Sequence, residues 1–297
     1  MNRQKIAFII NPIAGTSKKQ PLIEAIQALP DFIESSVYWT EKKGHATEIA
    51  HELRKKGWEK IVAAGGDGTV NETACSLINS PVQLGIIPMG SGDGLARHLG
   101  IPHNLSKALD WIVNGVPLKI DYGTFNEKPF FCTAGVGFDA QVGSCFSANK
   151  KRGFWTYVGT TLKEWKTYKP LNYKITVDGF TFEREAILIT IANANQWGNN
   201  ALIAPQADIS DGFFDVVILS PFPWGETAEI GLRIFAGNLD QSRRTEYLKG
   251  KDILIERNAP GVIHLDGEPD QAGKNLEIKM HSQGLQVLQK PRKNSHY

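Results

Sequence analysis

Hydrophobic positions in the first 120 residues fall into two alternating textures. Short continuous apolar runs at 5–10, 37–39, 60–64 and 84–88 predict buried strands, and the stretches between them carry apolar residues at helical spacing. Leu22, Ile23, Ile26 and Leu29 share one helical face, and Ile49 and Leu53 share another on a helix over 45–56. Buried strands alternating with amphipathic helices predict an α/β domain, a parallel sheet covered by helices.

From about Asp121 the pattern changes to strands and turns. Runs at 130–134, 171–177, 186–192, 214–219, 252–256, 262–265 and 276–280 predict a mostly antiparallel β domain. Asp178-Gly179 between two such runs predicts a tight hairpin. Helical insertions are expected at 154–168 and 226–236. The expected domains are therefore 1–120 and 121–297, with the extreme C-terminal segment free to return to the first and a polar tail from 289 that frays at its end.

Composition narrows the class. Apolar residues make up 41% and charged residues 22% of 297, which is the balance of a globular protein. A net charge of +2 is too small for a surface built around nucleic acid. Cys75, Cys132 and Cys145 are far apart, without the CxxC spacing of a zinc site or a disulfide framework, as expected for a reducing cytoplasm. No run reaches the length of a spanning helix, and the N-terminal run is too short for a secretory leader. A lipid substrate would have to be met by visiting a membrane from solution.

The chemistry concentrates in glycine loops. Ile61-Val62-Ala63-Ala64 runs into Gly65-Gly66-Asp67-Gly68-Thr69-Val70-Asn71-Glu72, a strand, a glycine turn and a helix start. Such a turn lets backbone approach a ligand closely, and helix N–H groups favour an anion. Leu84 to Pro88 followed by Met89-Gly90-Ser91-Gly92-Asp93-Gly94 repeats the design one unit later, and Asn11-Pro12-Ile13-Ala14-Gly15 follows the first strand. Loops at the C-terminal ends of neighbouring parallel strands open onto one crevice, so they are expected to face one ligand. Neither GxGxxG with a downstream acid nor GxxxxGK[ST] occurs here, which removes the ordinary dinucleotide and P-loop readings.

Asn11-Pro12 with Gly15, Gly65 to Thr69 with Asn71-Glu72, and Pro88 to Gly92 with Leu95-Ala96-Arg97 resemble, in order and spacing, the catalytic domain of diacylglycerol kinases, sphingosine kinases and bacterial YegS-like lipid kinases. Gly135-Val136-Gly137-Phe138-Asp139, Asn193 to Asp215 and Asp266-Gly267-Glu268 extend the resemblance over nearly the whole chain. Arg97-His98-Leu99-Gly100-Ile101-Pro102 leans toward the sphingosine-kinase side. The chain departs at Asp93, where the family usually carries Asn, and this adds a negative charge beside the proposed phosphate site.

The resemblance implies ATP and Mg²⁺ as cofactors and an NAD-kinase-like first domain. Asn11, Pro12, Gly15, Thr40, Gly65, Gly66, Asp67, Gly68, Thr69, Asn71, Glu72, Gly90 and Ser91 would line the nucleotide. Asp67, in its glycine turn, is either the N-cap of the following helix or a metal or substrate contact. In Pro205 to Asp215 the resemblance implies a structural magnesium loop, with the Asp211 carboxylate and main-chain oxygens of Asp208 and Phe213 as ligands. Asp266 and Glu268, two apart in an extended chain, would face one cleft, and either could accept a proton from an alcohol. The histidines have no metal-ligand spacing and receive no role.

Lys150-Lys151-Arg152 before Phe154, Trp155, Tyr157, Leu162, Trp165 and Tyr168 reads as a core helix or as an interfacial one. The implied activity is phosphorylation of a lipid hydroxyl by a cytoplasmic protein that contacts the inner membrane surface transiently. A small-molecule kinase of NAD-kinase type and a non-catalytic lipid or nucleotide binder remain as alternatives, and a homodimer stays open.

Overall fold

A computed structural model describes residues 3–15, 19–138, 140–141 and 168–290. Asp139, Cys145 and the basic-aromatic stretch 150–167 lie outside the described residues. The chain divides into two compact units, Met1–Ile120 with Gln283–Tyr297, and Asp121–Ser282.

The first unit contains β1 (Gln4–Ile10), α1 (Gln20–Gln27), β2 (Ile33–Trp39), α2 (His45–Lys55), β3 (Lys60–Gly65), α3 (Asp67–Leu77), β4 (Gln83–Pro88), α4 (Gly94–His98) and α5 (Leu105–Asn114). Its strands pair in parallel in the order β2-β1-β3-β4. Ile6 to Ile10 and Ile61 to Ala64 are completely buried, because helices cover both faces of the sheet and leave no polar side to alternate with. Leu22 and Ile26 bury the face of α1 that the spacing predicts. On α2 the buried set is Ala46, Ala50 and Leu53, while Ile49 is only half-buried. Helix α5 is not among the expected elements, although Leu105, Ala108, Leu109 and Ile112 recur at helical spacing. It starts where the Asn104 side chain accepts the Lys107 N–H, and it buries Ala108, Leu109 and Ile112.

The later elements are β5 (Val116–Phe125), β6 (Lys128–Phe130), β7 (Thr133–Gly137), β8 (Leu171–Val177), β9 (Phe180–Ala186), β10 (Leu188–Ala192), β11 (Phe214–Leu219), α6 (Thr227–Ala236), β12 (Thr245–Gly250), β13 (Asp252–Arg257), β14 (Gly261–Leu265), β15 (Glu268–Ala272) and β16 (Asn275–Gln289). In the second unit, antiparallel β12-β11-β10-β7-β14-β15 forms one sheet. The start of β16 with β13, β8 and β9 forms the other. Phe125, Phe130, Val136, Tyr173, Ile175, Phe214, Ile253, Leu276 and Ile278 join them in one core, with the Phe130 and Phe214 rings stacked 5.5 Å apart. Asp178 and Gly179 have φ of 48° and 88°, the left-handed pair of a tight hairpin.

Strand β16 is much longer than the predicted 276–280. Beyond Ser282 it continues into the first unit, where Gln286 and Val287 pair in parallel with Gln83 and Leu84 of β4. The polar look of His281-Ser282-Gln283-Gly284 hides this in the sequence, since hydrophobic patterning breaks where the strand passes between units.

Candidate functional site

In the first unit the strand ends are level. The register sets Trp39, Ile10 and Ala64 side by side and Gly65 beside Pro88. Main-chain bonds continue past the strands: Thr40 N–H donates to Ile10, Asn11 N–H to Ala64 and Met89 N–H to Gly65, at 3.0, 3.0 and 2.9 Å. The glycine loops therefore lie against one another, and their contacts are backbone on backbone. A methyl group on Gly15, whose φ is +62°, would collide with the Met89 carbonyl. One on Gly90 would come within 2.8 Å of the Gly66 Cα.

Side chains then tie the loops together. Asn11 donates from Nδ2 to Thr69 Oγ1 at 3.1 Å and accepts the Ile13 N–H at 3.0 Å, so it shapes its own loop and joins it to α3. Asp67 is not the N-cap of α3, since Gly66 holds that position and no side-chain cap bond forms. Its carboxylate instead accepts the N–H groups of Asp93 at 2.9 Å and Gly94 at 2.7 Å, the first free donors of α4. Glu72 accepts the N–H groups of Gly44 at 2.8 Å and Ala46 at 3.2 Å, which places its carboxylate at the start of α2. Thr40 and Thr69 are buried, and Ser91 is exposed on the rim.

Asp93 has a left-handed φ of 49°, a conformation that Asn and Asp tolerate better than most residues. One of its carboxylate oxygens accepts the Gly90 N–H at 3.0 Å, and the other lies 3.7 Å from His103 Nδ1. Burial and the nearby Asp67 charge push Asp93 up to about 6, against the opposing pull of the Gly90 N–H and Arg97. Burial and Arg97 push the His103 imidazole down. Arg97 donates to the Gly92 carbonyl at 2.9 Å. The extra charge in this loop thus points into the protein fabric, toward Gly90 and His103.

In the second unit, Asp211 accepts the Phe213 N–H at 2.9 Å and pairs with Lys249 Nζ at 2.7 Å. Asp208 accepts from the N–H and hydroxyl of Ser210 at 2.9 and 2.8 Å. Asp121 holds the loop from beneath, accepting the Gly212 N–H at 2.7 Å. Asp215 is fully buried near the Tyr247 hydroxyl, and Lys249 stands 3.8 Å away. Burial pushes Asp215 up to about 6, while Lys249 and the Tyr247 hydroxyl work against the shift. A buried carboxylate close to Asp211 suits a hard cation. The ammonium of Lys249 already meets part of that need, and among the described residues no three acidic, histidine or cysteine side chains group around a metal position.

Asp266 and Glu268 are separated by the turn between β14 and β15, where Asp266 and Gly267 have φ of 48° and 82°. The alternation of an extended chain does not apply across that turn. Asp266 accepts three main-chain N–H groups, from Phe131 at 2.9 Å, Cys132 at 2.7 Å and Thr133 at 3.1 Å. Glu268 is exposed at the start of β15.

Sequence reading missed Asp121, His103, Asp215 and Lys249. Of these only Asp215 has a spacing signal, and it is an inverted one, a charge inside the apolar run 214–219.

The family profile described as the diacylglycerol kinase catalytic domain matches residues 5–125, and the YegS C-terminal NAD kinase beta sandwich-like domain matches residues 132–289. Curated proteins named diacylglycerol kinase from Staphylococcus aureus strains RF122 / ET3-1 and JH9 are 30% identical over 272 residues, covering 90% of this chain and 86% of each relative. A solved Bacillus anthracis structure described as a diacylglycerol kinase superposes with a TM-score of 0.75 at 21% identity, over 98% of both chains. Another from the same organism reaches 0.81 at 24% identity, over 98% of this chain and 97% of that one.

Proposed function

The chain belongs to the diacylglycerol kinase catalytic family, and from that premise we propose that it is an ATP-dependent lipid kinase acting on a hydroxyl of diacylglycerol or a sphingoid-base-like lipid. The observation that carries this reading is the backbone cradle of three glycine loops locked together by Asn11 and Asp67. Phosphoryl transfer requires mainly positioning and charge neutralisation, which such a cradle supplies.

In this reading Asn11, Pro12, Gly15, Thr40, Gly65, Gly66, Gly68, Thr69, Asn71, Gly90 and Ser91 line the ATP. Asp67 and Glu72 act one step back, by fixing the ends of α4 and α2. The acceptor oxygen attacks the γ-phosphorus, the bond to the β-phosphate oxygen breaks, ADP leaves, and the acceptor proton passes to a carboxylate. Glu268 is that base, because Asp266 has its oxygens committed to three N–H groups and serves to position the turn. Magnesium bound with ATP supplies charge neutralisation at the phosphates. A second ion at Asp211, with main-chain oxygens of Asp208 and Phe213, would stiffen the 205–215 loop in competition with Lys249. The protein works from the cytoplasm and meets its substrate at the inner membrane surface, within phospholipid metabolism.

The inward orientation of Asp93 favours a working kinase over a binder that has lost catalysis. A radiolabelled-ATP assay over a panel of diacylglycerols, sphingoid bases and NAD tests the proposal. Labelled lipid is expected, and transfer only to NAD, or to nothing, overturns it.

A further inference from the structure

Helix α6 has two apolar faces. Ile230 is buried and Ile234 partly buried in the cluster with Val217, Leu219 and Leu239, against the outer face of the β12-β11-β10 sheet. On the other side Ala228, Leu232, Phe235 and Ala236 are exposed, and their spacing of four, three and one sets them in one stripe. Leu232 is 72% exposed, and Trp224, in the 3-10 turn Trp224–Glu226 leading into the helix, is 53% exposed. An ordinary surface helix would carry polar residues on that side.

The surroundings select the partner. The exposed parts of Trp224, Leu232 and Phe235 amount to about 400 Å², about half of the roughly 800 Å² per partner in a stable dimer. The acids of the segment are already matched, Glu226 by Arg244 at 2.6 Å and Glu229 by Arg233 at 2.9 Å, and exposed Arg243 leaves the rim positive. An indole and apolar side chains beside an arginine that no acid of the segment pairs match the layered chemistry of an anionic bilayer interface. Pro221 and Phe222, just before Trp224, line a cavity of about 150 Å³ with Tyr168, Pro170 and Ile187.

We propose that Trp224 and the outward stripe of α6 form a membrane-docking face that seats the second unit on an anionic lipid surface. The inference rests on the lipid-kinase reading for its purpose but not for its measurement. Co-sedimentation of the full chain with phosphatidylcholine/phosphatidylglycerol vesicles should show binding that Leu232→Glu and Trp224→Ser each reduce, the pair together by about tenfold or more. Arg243→Glu should weaken binding to these vesicles and leave phosphatidylcholine-only vesicles unaffected. Melting curves matching the parent establish that the variants fold, and Leu232→Gln provides a milder version of the same change. Activity on a short-chain, water-soluble diacylglycerol should be retained while activity on vesicle lipid falls.

Vesicle binding equal to the parent in the double variant overturns the proposal, as does a parent that ignores vesicles. A parent dimer that Leu232→Glu splits, with vesicle binding intact, assigns the face to a second copy instead. Loss of all kinase activity against any lipid, with the vesicle result unchanged, removes the kinase reading and leaves the docking face standing.

Discussion

The Asp67 carboxylate receives the main-chain N–H groups of Asp93 and Gly94 at 2.9 and 2.7 Å, so the acid of the first glycine loop sets the position of the second. A carboxylate at the open end of α4 is favoured by the helix field as well as by the bonds themselves.

Replacing Asp67 with Ala should therefore act on both loops. Two N–H groups lose a charged acceptor, a loss of about 2–4 kcal/mol, and calorimetry should show ATP binding weakened by about tenfold or more. Asp67→Asn keeps an acceptor oxygen and should fall between the two. Unchanged ATP affinity in the Ala variant would show that the clamp does not shape the nucleotide site.

Asp93 gives a stability profile with a definite sign. Its carboxyl sits at about 6 in the folded chain against an ordinary 3.8, so between those values the folded state holds the extra proton. Stability from this group therefore falls as pH rises from about 4 to about 6, and the loss, on the order of 2–3 kcal/mol, is complete above that window. Asp93→Asn retains an acceptor for the Gly90 N–H and tolerates the left-handed backbone. Melting temperatures of parent and variant should coincide near pH 4 and separate by several degrees in favour of Asn at pH 7. A constant offset across the range would assign the difference to packing rather than charge.

Asp266 and Glu268 should separate cleanly in kinetics. Glu268→Gln is expected to lower turnover by about 10²- to 10⁴-fold with melting temperature and ATP affinity unchanged. Asp266→Ala leaves three N–H groups without their acceptor and should lower the melting temperature as well as activity. Equal activity of Glu268→Gln and the parent would move the base elsewhere.

A magnesium ion at the 205–215 loop would compete with Lys249 for Asp211. If the ion binds there, chelation and Asp211→Ala should each lower thermal stability, and Lys249→Met should make the melting temperature respond more strongly to added Mg²⁺, because Asp211 is released from its 2.7 Å ion pair. Melting curves insensitive to chelator and to Mg²⁺ in parent and variant alike would show that Lys249 alone neutralises the loop.

The sequence by itself determined the alternation of buried runs and helical stretches in the first unit, the strand-rich second unit, and the glycine loops with their order. These are local properties. A run such as Ile6 to Ile10 with no polar side can only be buried on both faces, Gly66 lets the Gly90 backbone approach closely, and Asp178-Gly179 favours the left-handed pair of a tight hairpin. Tertiary structure decided what the polar side chains do. Asp67 looked like a helix cap or a ligand contact and became a clamp on a loop 26 residues away. Asp266 looked like an equal partner to Glu268 until three N–H groups from a distant turn claimed it. Lys249 and Asp121 reach the 205–215 loop from 38 and 91 residues away. Spacing along a chain reports which residues share a face of one element, but a hydrogen bond is satisfied by whichever donor the fold delivers within about 3 Å, and that donor is seldom a neighbour in sequence.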